Sequence, residues 1–136
     1  MIPARCGEET AVQDSVRLIL TRMGLNLSEM KHSRKLTLCC GEGGSVGFVR
    51  PVLAQKWGQM RREEANGRKI VTYCAGCAGF LNRVTPTVHI ADVLFSKDKA
   101  INGGLRIVKS PLTYINRLKL KHRFKGAIAF VVASNK

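Results

Sequence analysis

Acidic residues are scarce in this chain. Nine Asp and Glu stand against 23 Lys and Arg, the net charge is +14, and no acidic residue follows Asp98. That balance suits anionic partners: nucleic acid, an acidic protein surface, anionic lipid or an anionic substrate. Aromatic residues are few, at 6% with a single Trp. They are not interleaved with the basic residues, which argues against a single-stranded nucleic-acid platform, where bases stack on rings. No apolar run reaches the roughly 20 residues that span a bilayer. The longest near the end, Ala127 to Ala133, suits one strand. No secretory signal is read at Met1-Ile2-Pro3-Ala4-Arg5, which looks like a cut made inside a larger protein. A reducing, cytoplasmic compartment is therefore expected, and there clustered cysteines mean metal or redox chemistry more often than structural disulfides. There is no low-complexity segment, and a hydrophobic content of 45% over 136 residues fits one globular domain with a sizeable core. The glycine loop Gly41 to Gly47 has no Gly-Lys-Ser/Thr ending, which argues against a nucleotide-binding phosphate loop.

No cysteine is left over either. All five fall into one pattern: Cys6, the adjacent Cys39-Cys40, and Cys74-Ala75-Gly76-Cys77. Thiolates are the ligands that soft metals and iron–sulfur clusters take. Adjacent cysteines do not easily close an unstrained disulfide on each other. At the mouth of a strand that turns into a glycine loop, both can reach one multi-iron cluster. Gly41, Gly43 and Gly44 then permit positive φ and let backbone N–H groups approach sulfur. Cys74 and Cys77, opening a helix, are expected as thiolates of lowered pKa. Structural zinc remains an alternative, although zinc sites more often use two Cys-x-x-Cys pairs. A thioredoxin-type exchange centre would use only Cys74 and Cys77.

Apolar periodicity predicts a helix from Glu8 to Gly24, through Val12, Val16, Ile19, Leu20 and Met23, with Gly24 in a left-handed C-terminal turn. Leu25 to Met30 is expected as an extended piece and Lys35 to Cys39 as a strand. Val49 to Ala65 is expected as a helix with Pro51 in its first turn and Gly67 ending it. Lys69 to Tyr73 reads as a buried strand, Ala75 to Asn82 as a short helix, Thr87 to Phe95 as another. Leu105 to Val108 reads as strand or extended, Pro111 to Phe124 as a basic helix, and Ala127 to Val132 as a last apolar segment. The alternation predicts an α/β domain, a parallel or mixed sheet flanked by helices in a Rossmann-like three-layer arrangement, with both cysteine groups at strand carboxyl ends.

The pattern Cys6-x32-Cys39-Cys40-Gly41-x32-Cys74-x2-Cys77 resembles the cysteine-rich CCG domain. That domain occurs in heterodisulfide reductase and in related iron–sulfur oxidoreductases, among them the iron–sulfur component of glycolate oxidase and anaerobic glycerol-3-phosphate dehydrogenase. The likeness covers residues 1 to about 95, including Gln13-Asp14-Ser15-Val16-Arg17, Cys39 to Gly44, and Thr72 to Cys77; residues 96–136 form a basic extension without a signature. The resemblance implies an electron-transfer or disulfide-reducing domain. It implies a [4Fe-4S] cluster, non-cubane in heterodisulfide reductase, on Cys39, Cys40, Cys74 and Cys77. Many relatives carry their first cysteine in an Asp-x-Cys-x-x-Arg context, which Ile2-Pro3-Ala4-Arg5 occupies here; Cys6 stands at an acceptable spacing and is the candidate fifth ligand. The implied partners are a flavin or iron–sulfur protein and a disulfide, quinone or similar acceptor, which would set the domain against the inner face of a membrane when that acceptor is membrane-bound. The alternative is a zinc-stabilised basic domain that binds nucleic acid or protein.

Among other residues, Glu42 reads as a solvated loop carboxylate, and His89 as a packed or capping histidine. His32 and His122 read as surface residues. Trp57, Phe48 and Tyr73 read as core aromatics. Arg117 to Lys125, the densest basic stretch, is expected as a docking surface.

Overall fold

The computed structural model describes residues 10–103, 105, 108 and 110–134. Contacts divide the chain into two compact units, residues 1–105 and 106–136. In the first unit, helix α1 (Thr10–Arg22) buries Gln13, Val16 and Leu20. Val12 faces solvent, so the buried stripe is turned by one residue from the apolar pattern and takes in a glutamine. Gly24, at φ 74°, ends the helix as expected, and the Leu25 N–H reaches back to the Leu20 carbonyl.

The strand expected over Lys35 to Cys39 does not form. A 3-10 turn spans Arg34–Leu36, and Thr37 to Cys40 runs on with no ladder partner among the described residues. The helix expected over Val49 to Ala65 is two: α2 (Val46–Val49) and α3 (Pro51–Ala65). Pro51 disfavours a helical conformation at the residue before it, and Arg50 accordingly sits at φ −139°, ψ 70°. Phe48 on the four-residue α2 is 93% exposed, a correction to its expected core position; it faces an open groove against α3, Phe80 and Val84. Trp57 is half-buried.

Strand β1 (Ile70–Thr72) leads into α4 (Ala75–Leu81), and strand β2 (Thr87–His89) follows. The two strands pair in parallel, Ile70 opposite Thr87 and Thr72 opposite His89. Thr87 to His89 was expected to open a helix. Its β-branched Thr87 and Val88 instead complete the sheet, and α5 (Ile90–Asn102) begins after them. The domain is thus mixed α/β. Its sheet has two strands among the described residues, narrower than the three-layer Rossmann-like arrangement requires. Successive β1 residues enter different apolar clusters, as alternation along a strand demands. Val71 packs with Val16, Leu20 and Val93, and Ile70 with Met30, Cys40, Ala65, Cys77 and Leu81.

The second unit holds α6 (Leu112–Ser134). It runs unbroken through the apolar Ala127 to Val132, which forms no strand. From Tyr114 to Phe124 its side chains are exposed. In the 105–108 segment, Arg106 and Ile107 lie outside the described residues. Among those described, no helix is long and apolar enough to cross a membrane.

Candidate functional site

The end of β1 and the segment after Thr37 bring two cysteine groups together. Cys74 caps α4 from extended backbone, and the Thr72 hydroxyl accepts its N–H at 3.2 Å. One helical turn on, Cys77 is buried, and its thiol donates to the Cys40 sulfur at 3.1 Å. Cys74 also hydrogen-bonds Cys77. Cys40 is 3% exposed and receives the Glu42 backbone N–H. Cys39 is exposed; its sulfur accepts the Gly41 N–H at 3.4 Å, and Gly43 lies beside it. The expected N–H···S bonds of the glycine loop are therefore present. Gly44 lies in the 3-10 turn Gly43–Ser45. Cys6 lies outside the described residues.

Lowered pKa was expected at Cys74 and Cys77; Cys77 instead moves up, and the lowered thiol is Cys40. The Cys77 hydrogen bond, ahead of the Glu42 N–H and against the opposing effect of burial, stabilises the Cys40 thiolate. The same bond, with burial, pushes the Cys77 thiol up. One proton shared between two close sulfurs sends the two thiols in opposite directions.

Gly41 sets the approach. At φ 102° a Cβ there would lie 2.7 Å from the Ala54 carbonyl oxygen, so the chain beyond Cys40 rests directly on α3. Glu42, although exposed, is more than a solvated loop carboxylate. A Cβ on Gly76 would stand 1.9 Å from its Oε2, so the carboxylate lies across the second cysteine loop. The sequence signal for this contact is the glycine between the two cysteines, the one residue type that leaves room. His89 is the expected capping residue: its ring accepts the Ala91 N–H, and the remaining Nε2–H donates to the Tyr73 carbonyl at 2.9 Å.

A second group escaped the sequence reading. On α3 the buried stripe is Ala54, Gly58, Arg61 and Ala65. Arg61 is fully buried. Its Nη1 donates to the His32 carbonyl at 3.2 Å and to Glu64 Oε2 at 3.1 Å. Glu64 also pairs with the His32 ring, so His32 is no free surface residue. Helical spacing on α3 places Arg61 on the apolar face, and that was the available signal. Gln13 is likewise buried, with neither end of its amide partnered among the described residues.

Burial alone would raise the Glu64 pKa, but hydrogen bonds from the His32 side chain and backbone, with the Arg61 charge, bring it below its ordinary 4.5. A carboxylate held down in this way adds stability above its unfolded pKa and loses it as acid protonates it. Glu64→Gln is expected to flatten the acid side of the stability curve between about pH 5 and 3. At neutral pH it should cost about 3–5 kcal/mol, because buried Arg61 loses its charge partner. Denaturant titrations across pH check this; a variant with the wild-type acid slope would sink it.

Residues 5–82 match the family of CCG cysteine-rich domains, more than half of the chain. The chain belongs to that family. No curated protein and no solved structure matches it. The CCG match takes in α1 through α4 and leaves β2, α5 and α6 outside, so it is shorter than the likeness to about residue 95 expected from the sequence. Its cysteine-rich character is consistent with metal or iron–sulfur binding. Among the described residues, no three His, Cys, Asp or Glu side chains are gathered as a metal site. The donor chemistry nonetheless fits such a group. Cys40 and Cys77 are in contact, Cys74 adjoins Cys77, Cys39 is next in the chain, and buried Arg61 has Nε and Nη2 without partners among the described residues.

Proposed function

We propose that this CCG domain is an iron–sulfur redox module that passes electrons between a flavin or iron–sulfur partner and a disulfide, quinone or similar acceptor. The observation that carries the reading is the contact between Cys40 and Cys77, joining two cysteine segments far apart in sequence. Cys39, Cys40, Cys74 and Cys77, with Cys6 as the fifth candidate, would hold a [4Fe-4S] cluster. Such a cluster supplies one-electron storage at a potential set by charge, hydrogen bonds and burial. The chain's own part is to hold the thiolates, exclude water from Cys40 and Cys77, and donate the Gly41 and Glu42 N–H groups to sulfur. A groove of about 1090 Å³ reaches Glu42, and its lining mixes Phe48, Val52, Met60, Phe80 and Val84 with Gln55, Lys56, Gln59, Glu63 and Arg83, which suits an acceptor with both apolar and polar parts approaching from that side.

Protein purified and reconstituted without oxygen tests the reading. Brown colour with iron and labile sulfide is the expected result. A single colourless zinc would overturn it in favour of a zinc-stabilised basic domain.

The basic stretch Arg117 to Lys125 is proposed as the docking surface for an acidic redox partner or an anionic membrane face. Exposed charge steers association and is screened by salt. Replacing Lys119, Lys121 and Lys125 by Glu is expected to weaken association at least tenfold at low salt, and less at high salt. Unchanged association at low salt, measured by partner or vesicle co-sedimentation, removes this assignment.

A further inference from the structure

We propose that Arg61 is the buried counter-cation of the Cys39–Cys40 sulfurs, a positioning residue whose unpartnered nitrogens hold negative charge at the cysteine site. A guanidinium carries five N–H donors and stays charged in proteins. The Nη1 donors of Arg61 are used by Glu64 and the His32 carbonyl. Nε and Nη2 are buried and have no partner among the described residues. Unmet buried donors are costly, and their presence on a fully buried cation calls for a partner.

The stripe on α3 indicates which. Ala54 touches the chain at Gly41. Ala65 packs in one cluster with Cys40 and Cys77. Arg61 lies between them on the same buried face; burial works against its charge, and the charges of Glu64, then Cys40, then Cys39 work to hold it. Among the described residues the one carboxylate it touches, Glu64, is shared with His32. A purely structural Arg61, tying the His32 loop to α3, would need Nη1 alone. Negative sulfur, as thiolate or as loaded cluster, is the partner that accounts for the rest.

The inference rests on the iron–sulfur reading, and the experiment separates the two. Wild type, Arg61→Met and Glu64→Gln are reconstituted without oxygen, and iron content and midpoint potential are measured. A buried cation stabilises the reduced, more negative state. Arg61→Met should therefore lower the potential, with at least a tenfold fall in the reduced-to-oxidised ratio at fixed potential, about 59 mV for one electron. Glu64→Gln, which leaves Arg61 less neutralised, should move it the other way. A structural role predicts no such opposition. An iron-loaded Arg61→Met with the wild-type potential overturns the inference and leaves the iron–sulfur reading standing. Should Arg61→Met not fold, a Glu64→Gln potential that fails to rise overturns it equally.

Wild type that takes up no iron defeats the iron–sulfur reading instead. The counter-cation is then read on the apo Cys40–Cys77 pair in glutathione buffer. The two thiols give two electrons and two protons to glutathione disulfide, which becomes two glutathione thiols. Losing the cation should raise the protein disulfide-to-dithiol ratio severalfold in Arg61→Met. An unchanged ratio overturns the inference.

Discussion

Cys40→Ser and Cys74→Ser are each expected to lose most of the iron that the wild-type protein takes up on anaerobic reconstitution. A serine hydroxyl is a poor replacement for a thiolate on a soft metal. The geometry sharpens the expectation for Cys40, which is 3% exposed and in contact with Cys77. At that exposure water has little access to take over the position. Cys6→Ser should have a smaller effect, because relatives carry their first cysteine in a context that this chain fills with Ile2-Pro3-Ala4-Arg5. Iron and sulfide analysis of the three variants is the measurement. Equal loss from Cys6→Ser would make Cys6 a full ligand. No loss from any of them would end the cluster assignment and return the cysteines to zinc or packing.

Gly41→Ala is expected to destabilise the domain by about 3 kcal/mol or more, adding the strain of a side chain at positive φ to overpacking against α3. The new Cβ would stand 2.7 Å from the Ala54 carbonyl oxygen and 3.2 Å from its Cα. Both are backbone atoms of a helix and cannot swing aside. The variant should also lose iron, since the Gly41 N–H and the path from Cys40 to Glu42 depend on that approach. Two controls isolate the causes. Gly67→Ala, at φ 74° with nothing within 4 Å, should cost only about 1 kcal/mol from backbone strain. Gly47→Ala, with nothing within 4 Å and no positive φ, should be close to neutral. Thermal unfolding of the three proteins orders them; a Gly41→Ala protein as stable as Gly67→Ala would contradict the contact with α3.

Alone, the amino-acid sequence determined the family, the cysteine pattern, and most of the helices of the first unit. These are properties of local spacing: apolar residues at helical intervals, a glycine after a helix, thiols at intervals that suit a soft metal. The Cys74-x-x-Cys77 turn after β1 was legible for the same reason, because strand, cysteine and helix follow one another in a few residues. Only tertiary structure decided what depends on partners distant in sequence. Lys35 to Cys39 has the alternation of a strand, yet among the described residues no second strand lies beside it, and a strand exists only in a ladder. Thr87 to His89 resembled a helix start, but β1 offered it hydrogen-bonding partners. Cys77, expected with Cys74 to have a lowered pKa, moves up and Cys40 moves down because that division belongs to a contact across 37 positions, which no local rule reports. Arg61 and Glu42 came forward for the same reason. A charged residue in a helix or a glycine loop looks solvated until packing either removes the water, as at Arg61, or lays its carboxylate across the neighbouring cysteine loop, as at Glu42.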